Sequence, residues 1–472
     1  MEATKLSRRE LRSNKVEVKT EKTKSLSNEE AINKKIHKIY LILALSLGLI
    51  LSIGMPFFNE PDGQFHFVNS SNIAGLTTDI SAYGETPKWF GYQFAHEKQN
   101  YQDGTFFEKY FETQVDLMPI SQLPRSNEMP AKTNYNYWGH IIPAAGVWLG
   151  YHIYPSLGVM ITVARLLNTF ILSIGMFFVI RFVKRGKLLF TLVALSPVIL
   201  NTFASLSYDG LSFLLAAVAV ALAINTIVAN KISIWRILQM IILAIIMYFS
   251  IKTNLMLLVL LFPLVVYGIL GKEKLENLWQ RFSVKGKTIS AIIAFVLIVG
   301  ALFVISRPYG GPIHLVYKLV INVIYNFNPN INVQDVNTIF VQPLATHNMM
   351  PFWLTSIWFI LLVLAAFSEQ KYVKSSLVSW GALGIFILNI LAIYITFFTG
   401  FTSGRAEAMG AIGGVQGRYF TPMFLLFSLF AANSKFRLKV VSYRTVLISS
   451  IVMIVFSNGL LLFDTLFTIL KF

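Results

Sequence analysis

IYLILALSLGLILSIGMPFFNEPDGQFHF (39–67) joins an uncharged, twenty-residue apolar run to a short acidic motif centred on Pro61. The run is long enough to cross a bilayer core of about 30 Å as a helix. Before it, residues 1–38 carry eleven Lys/Arg against six Glu, and no A-x-A-like cleavage site follows it. The stretch therefore predicts an uncleaved first span over 39–58, entered from a basic cytoplasmic tail. Glu60, Asp62 and His66 then stand at its outer mouth.

The pattern continues along the chain. Eleven apolar stretches fall between residues 39 and 472: about 39–58, 158–183, 188–206, 210–229, 236–251, 254–271, 288–306, 351–367, 376–398, 418–433 and 444–470. Lys and Arg mark one set of connections, at 184–187, 231–236, 272–287, 371–374 and 435–439. The acids collect in the other set: residues 59–157 hold ten Asp/Glu and five Lys/Arg. By the positive-inside rule the basic loops are cytoplasmic, and 59–157 and 307–350 are external. YWGHIIPAAGVWLGY (137–151) is apolar but short and broken by Pro143 and Gly146. It reads as interfacial or re-entrant, because one more crossing there would put 184–187 outside. Pro197 predicts a kink in the third span. The expected fold is thus an all-α polytopic membrane protein, residues 39–472, with a C-terminus outside.

Composition agrees. The chain is 55% hydrophobic and only 13% charged, about half the charge of a soluble domain. Its net charge of +17 sits beside the spans, which argues for membrane lipid and against nucleic acid. Without cysteine there is no disulfide and no thiolate metal site.

Charges near a bilayer are costly, so they point to function. Glu60, Asp62 and His66 follow the first span, and Asp209 lies between the third and fourth. Lys252 lies in the turn 252–254, Arg405, Glu407 and Arg418 lie in or at the end of the loop between the ninth and tenth spans, and Arg165 lies inside the second. Acids with fixed cations suit transfer from a phosphate-linked donor: a carboxylate accepts the acceptor's proton, and Arg or Lys holds the phosphate. Blander roles exist for each: Asp209 as a helix cap or a partner of Arg165, Lys252 as a snorkelling side chain, Arg405 paired with Glu407. Glu60 and Asp62 leave room for a divalent metal, Mg or Mn, although adjacency in sequence is weak support.

Four segments in order resemble the bacterial family catalogued as domain of unknown function 2142, grouped with the GT-C glycosyltransferases. They are Pro61-Asp62-Gly63-Gln64-Phe65-His66-Phe67, then 137–151 leading to Ala164–Asn168, then Leu195-Ser196-Pro197 with Ala204–Asp209, and Gly413–Phe420. The family's first motif looks like P-D-E-x-x-H-F, so Gly63 stands where a second acid is expected, and Glu60 is the nearest substitute. The resemblance implies a GT-C-like bundle, here of about eleven transmembrane helices, with a catalytic Asp on a long first extracytoplasmic loop. It adds Gln416 and Tyr419, beside Arg418, to the substrate-binding candidates.

These readings combine into one expectation. In a bacterial plasma membrane, a sugar passes from a polyprenyl-phosphate carrier to a cell-surface glycan or teichoic-acid-type acceptor on the outer face. Asp62 is the expected general base, with Glu60 beside it as the second catalytic candidate. Arg418, Arg405, Lys252, Asp209, Arg165, His66, Gln416 and Tyr419 are the expected binding residues. The rival expectations are a transporter or flippase of a lipid-linked glycan, and a non-catalytic membrane protein of envelope assembly.

Overall fold

A computed structural model describes residues 35–58, 60–80, 104–119, 137–250, 252–271, 283–307, 310–324, 334–343, 350–401, 415–438 and 442–465, with single positions 122, 277 and 281. The basic tail up to residue 34, much of the first outer loop, and Arg405 with Glu407 lie outside these. Among the described residues the chain is helical, and extended pairing is limited to isolated bridges such as Thr78 with Leu117.

The main helices are α1 (Lys35–Gly54), α2 (Gly63–Ile73), α3 (Ile141–Ile153), α4 (Leu157–Phe182), α5 (Lys187–Ala194), α6 (Pro197–Phe203), α7 (Asp209–Ala229) and α8 (Ile234–Ser250). A 3-10 stretch (Thr253–Leu260) leads into α9 (Leu261–Leu270), followed by α10 (Val284–Ser306), α11 (Pro312–Ile324), α12 (Phe352–Ser368), α13 (Ser376–Phe401) and α14 (Tyr443–Asp464).

Among the described residues, six helices are long and apolar enough to cross a membrane: α1, α4, α7, α10, α13 and α14. Four shorter apolar helical segments, Ile234–Phe249, Asn254–Leu270, Phe352–Ser368 and Thr421–Phe430, fall on four further expected spans. The expected tenth span becomes a series of 3-10 turns, Gly417–Tyr419 and Thr421–Leu426, closed by Phe427–Phe430.

The expected third span is two helices rather than one bent one. Pro197 cannot donate to a continuing helix, so it starts α6 at its first position, and the Ser196 hydroxyl caps it by accepting from Ile199 N at 3.4 Å. Every residue of α6, and every residue of α5 except Lys187, is buried. A break of this kind is tolerated at membrane depth because protein surrounds it. The core sits here, where α5, α6 and α7 pack with α4, α12 and α14. The opposite surface is apolar and exposed, as Ile241, Ile242 and Ile245 on α8 illustrate, which suits lipid contact.

Segment 137–151 forms a 3-10 turn (Tyr137–His140) and the 13-residue α3. At 1.5 Å per residue α3 is about 20 Å long, too short to cross. It lies against α4 with backbones nearly touching: a Cβ on Gly146 would come within 2.4 Å of Ala164 Cα, and one on Gly150 within 2.7 Å of Met160 Cα. Gly146 and Gly150 form a G-x-x-x-G face that permits this approach.

The loops sort onto two sides. Gly186 N and Leu188 N donate to Glu369, Lys184 N donates to Asn225, and Tyr372 N and Val373 N donate to Ala432 O. The loops predicted to be cytoplasmic therefore meet one another. Asp62, Asp209, Lys252 and Arg418 meet elsewhere, as described below. Orientation itself is checked by labelling single cysteines in this cysteine-free chain: Asn100→Cys reacts with an impermeant thiol reagent in intact cells, and Leu278→Cys does not. The reverse pattern inverts the assignment.

Candidate active site

The turn after α1 is built around Arg165. Its Nη1 donates to Met55 O at 2.7 Å, and its Nη2 donates to Pro56 O at 2.9 Å and to Glu60 Oε2 at 2.7 Å. Glu60 Oε1 also accepts from Leu206 N at 3.4 Å. Arg165 and the Glu60 side chain are 1% and 5% exposed, so this is a buried ion pair. The guanidinium answers carbonyls that the end of a helix leaves without partners. The backbone then turns sharply: Phe58 and Asp62 both adopt left-handed φ, near 60° and 61°. A side chain at 63 would put its Cβ 2.7 Å from Phe58 Cα, which explains glycine where the family motif has a second acid.

This turn delivers Asp62 to a charge cluster. Arg418 Nη2 lies 3.7 Å from Asp62 Oδ2, and Arg418 Nε lies 3.2 Å from Asp209 Oδ2. Lys252 Nζ lies 2.8 Å from Asp209 Oδ1. Asp209 opens α7, where the helix dipole favours a negative charge. Lys252 also sits 3.9 Å from the centroid of the Tyr419 ring and 5.3 Å from that of Tyr208, a cation–π arrangement. Tyr419 itself stacks on Phe397 of α13. Burial lowers the Lys252 ammonium to about 8, with Asp209 pulling the other way. Asp62 is the exposed member: its side chain is 39% accessible against 14% for Asp209 and 8% for Arg418.

Beside the cluster, His66 Nδ1 and His140 Nε2 are 2.9 Å apart, both rings buried, and both rings pack near Tyr208. Burial holds His140 at about 4 and His66 well below the usual imidazole value. The pair is therefore neutral at neutral pH, one ring donating to the other.

Of the residues singled out in the sequence, Asp62, Asp209, Lys252, Arg418 and Tyr419 converge, and His66 lies next to them. Glu60 and Arg165 pair with each other, so Arg165 is not the partner of Asp209, and Glu60 does not stand in for the missing acid of the motif. Gln416 contributes its carbonyl, which accepts from Tyr419 N at 3.1 Å. Arg405 lies outside the described residues. Sequence reading missed His140, Tyr208 and Asn254. Asn254 lines a cleft with Asp209, Lys252 and Arg418, and its buried Nδ2 finds no hydrogen-bond partner among the described residues. Its signal was its position in the Lys252-Thr253-Asn254 turn.

A divalent metal, Mg or Mn, fits this donor set poorly. Among the described residues no three His, Asp or Glu side chains gather as a ligand set. Asp62 and Asp209 each face a cation, and Glu60 faces Arg165. This donor set suits an anion rather than Mg or Mn.

No curated protein and no solved structure matches the chain. A family profile described as a predicted membrane protein, DUF2142, matches residues 45–427, a span that runs from α1 past the Arg418 turn. With that match over most of its length, the chain belongs to the DUF2142 family of predicted membrane proteins.

Proposed function

We propose that this chain is a GT-C-type membrane glycosyltransferase that takes a sugar from a polyprenyl-phosphate carrier on the outer face of a bacterial plasma membrane. In this reading the shorter apolar helices complete a bundle of about eleven crossings. The acceptor is a cell-surface glycan or a teichoic-acid-type polymer. One observation carries the reading: two largely buried cations, Arg418 and Lys252, share Asp209, while the more exposed Asp62 carboxylate lies 3.7 Å from Arg418.

In the reaction, Asp62 accepts the proton of an acceptor hydroxyl as its oxygen bonds to the anomeric carbon. The bond from that carbon to the phosphate oxygen breaks, and polyprenyl phosphate leaves with the electron pair. Arg418 and Lys252 stabilise the charge that grows on the leaving phosphate. Asp62, Asp209 and Lys252 fall in connections between the expected spans and Arg418 at the start of one, which supports transfer near the interface over a midplane transport site.

The phosphate role is tested by binding of a polyprenyl phosphate to purified protein in lipid nanodiscs. A guanidinium makes two parallel hydrogen bonds to a phosphate, whereas an ammonium is a point charge. Arg418→Ala binds about tenfold or more weakly, and Arg418→Lys recovers only part of the loss. Equal affinity in all three forms removes phosphate binding from this site. Because the Lys252 ammonium titrates at about 8, wild-type binding also weakens as pH rises through that value, and Lys252→Met loses that dependence.

A further inference from the structure

α11 (Pro312–Ile324) carries its polar residues on the side that water would not select. Ile313, Val316, Tyr317 and Val320 recur at i, i+3, i+4 and i+7, so they form one stripe along the helix. All four are exposed, Ile313 by 85%. Leu315, Lys318 and Asn322 form the opposite stripe and are buried, Lys318 to 4% exposure. That stripe faces protein: Leu315 belongs to the main core, and α11 packs against α10 and α13. A helix at a watery surface turns lysine and asparagine outward and isoleucine and valine inward. The reverse arrangement marks a surface whose surroundings are apolar.

The helix is too short to be a crossing: its 13 residues rise about 20 Å, against a bilayer core of about 30 Å. It starts where the apolar α10 ends. Gly310 and Gly311 both take positive φ, 90° and 92°, and Gly311 N donates to Ser306 O at 3.0 Å, so the chain changes direction there. On α10 the consecutive residues Phe295–Val299 are all exposed, so the helix beside α11 presents apolar side chains all round. The segment after α11 returns to the charge cluster. Thr338 Oγ1 accepts from Gly417 N at 2.6 Å, next to Arg418, and Thr421 Oγ1 donates to Ile339 O at 2.5 Å.

We propose that α11 is embedded, without crossing, in the leaflet on the side of the charge cluster, with Ile313, Val316, Tyr317 and Val320 against lipid acyl chains. The occupant of the stripe is lipid rather than a second copy of this chain. Helices that associate within a bilayer meet through small residues, and this stripe has none, whereas its bulky side chains suit fluid acyl chains. Tyr317 fits the same place, because a phenol buries its ring among acyl chains and keeps its hydroxyl at the headgroups. The loop 307–350, expected outside the membrane, is thus anchored in it, and the segment that touches the Arg418 turn is held near the lipid surface. The inference does not depend on the glycosyltransferase reading.

The test uses the absence of cysteine from the chain. Ile313→Cys, Val316→Cys, Tyr317→Cys and Val320→Cys are each labelled with a nitroxide. The full chain is then reconstituted in vesicles of phosphatidylcholine and phosphatidylglycerol. Oxygen concentrates among acyl chains and a neutral nickel chelate stays in water, so their relative effects on the label report its surroundings. Ile245→Cys, on the exposed apolar face of α8, gives the lipid reference. At the stripe positions oxygen relaxes the label several-fold more than nickel does, as it does at Ile245→Cys. A nickel effect larger than that of oxygen puts the stripe in water and overturns the proposal. Poor access for both reagents shows protein over the stripe, from a second copy or another partner, and overturns it equally. All the substituted side chains are exposed, and each variant reads the stripe by itself, so one that fails to fold is replaced by the others.

Discussion

Asp62→Asn lowers sugar transfer by about 10²-fold or more, while the amount of folded protein and the affinity for polyprenyl phosphate stay near wild type. The substitution keeps size and shape but removes the lone pair that takes the acceptor's proton, and general-base catalysis contributes about 10²–10⁴-fold. Asp62 is suited to that part because it is the accessible member of the cluster. Asp209 is committed to two cations and Glu60 to Arg165. The measurement is single-turnover transfer from a glycosylated polyprenyl phosphate by reconstituted protein. Rates within a few-fold of wild type would move the proton to another group, and Asp209 is the next candidate.

Arg165→Met destabilises the protein by about 3–5 kcal/mol, the usual cost of removing one partner from a buried ion pair. Glu60 would remain as an uncompensated buried carboxylate, and the carbonyls of Met55 and Pro56 would lose their donors. Arg165→Met combined with Glu60→Leu recovers part of the loss, because it removes the orphaned charge. Reversible unfolding in a mixed micelle measures both. An unchanged midpoint for Arg165→Met would show that the turn holds without its guanidinium. A variant that stays folded also reports function, since the turn delivers Asp62.

The helical membrane architecture was legible because apolar run length and loop charge are properties of short windows. The six long helices begin within a few residues of the predicted spans, and the first five also end within a few residues of them. The broken third span was legible only as a kink. Proline marks the discontinuity, but whether the chain bends or stops depends on the protein packed around it. The tenth span was legible as an apolar run but not in its form: TPMFLLFSLF (421–430) winds as 3-10 turns closed by a short α-helical turn within the core. At the site, charge near a predicted helix end identified Asp62, Asp209, Lys252 and Arg418. Their pairing was not legible: the contacts join residues 43 to 356 positions apart. His140 was hidden because a lone histidine in an apolar segment carries no signal until His66 is seen beside it.

The cluster also has a consequence for how a ligand arrives. Asp62, Asp209, Lys252 and Arg418 carry two charges of each sign and nearly cancel. Such a set casts little field beyond a Debye length of about 8–10 Å, so it does not draw anions from solution. Capture is left to short-range fit, so on the proposed reading free phosphate, which brings no apolar tail, is held weakly, and binding changes little with ionic strength.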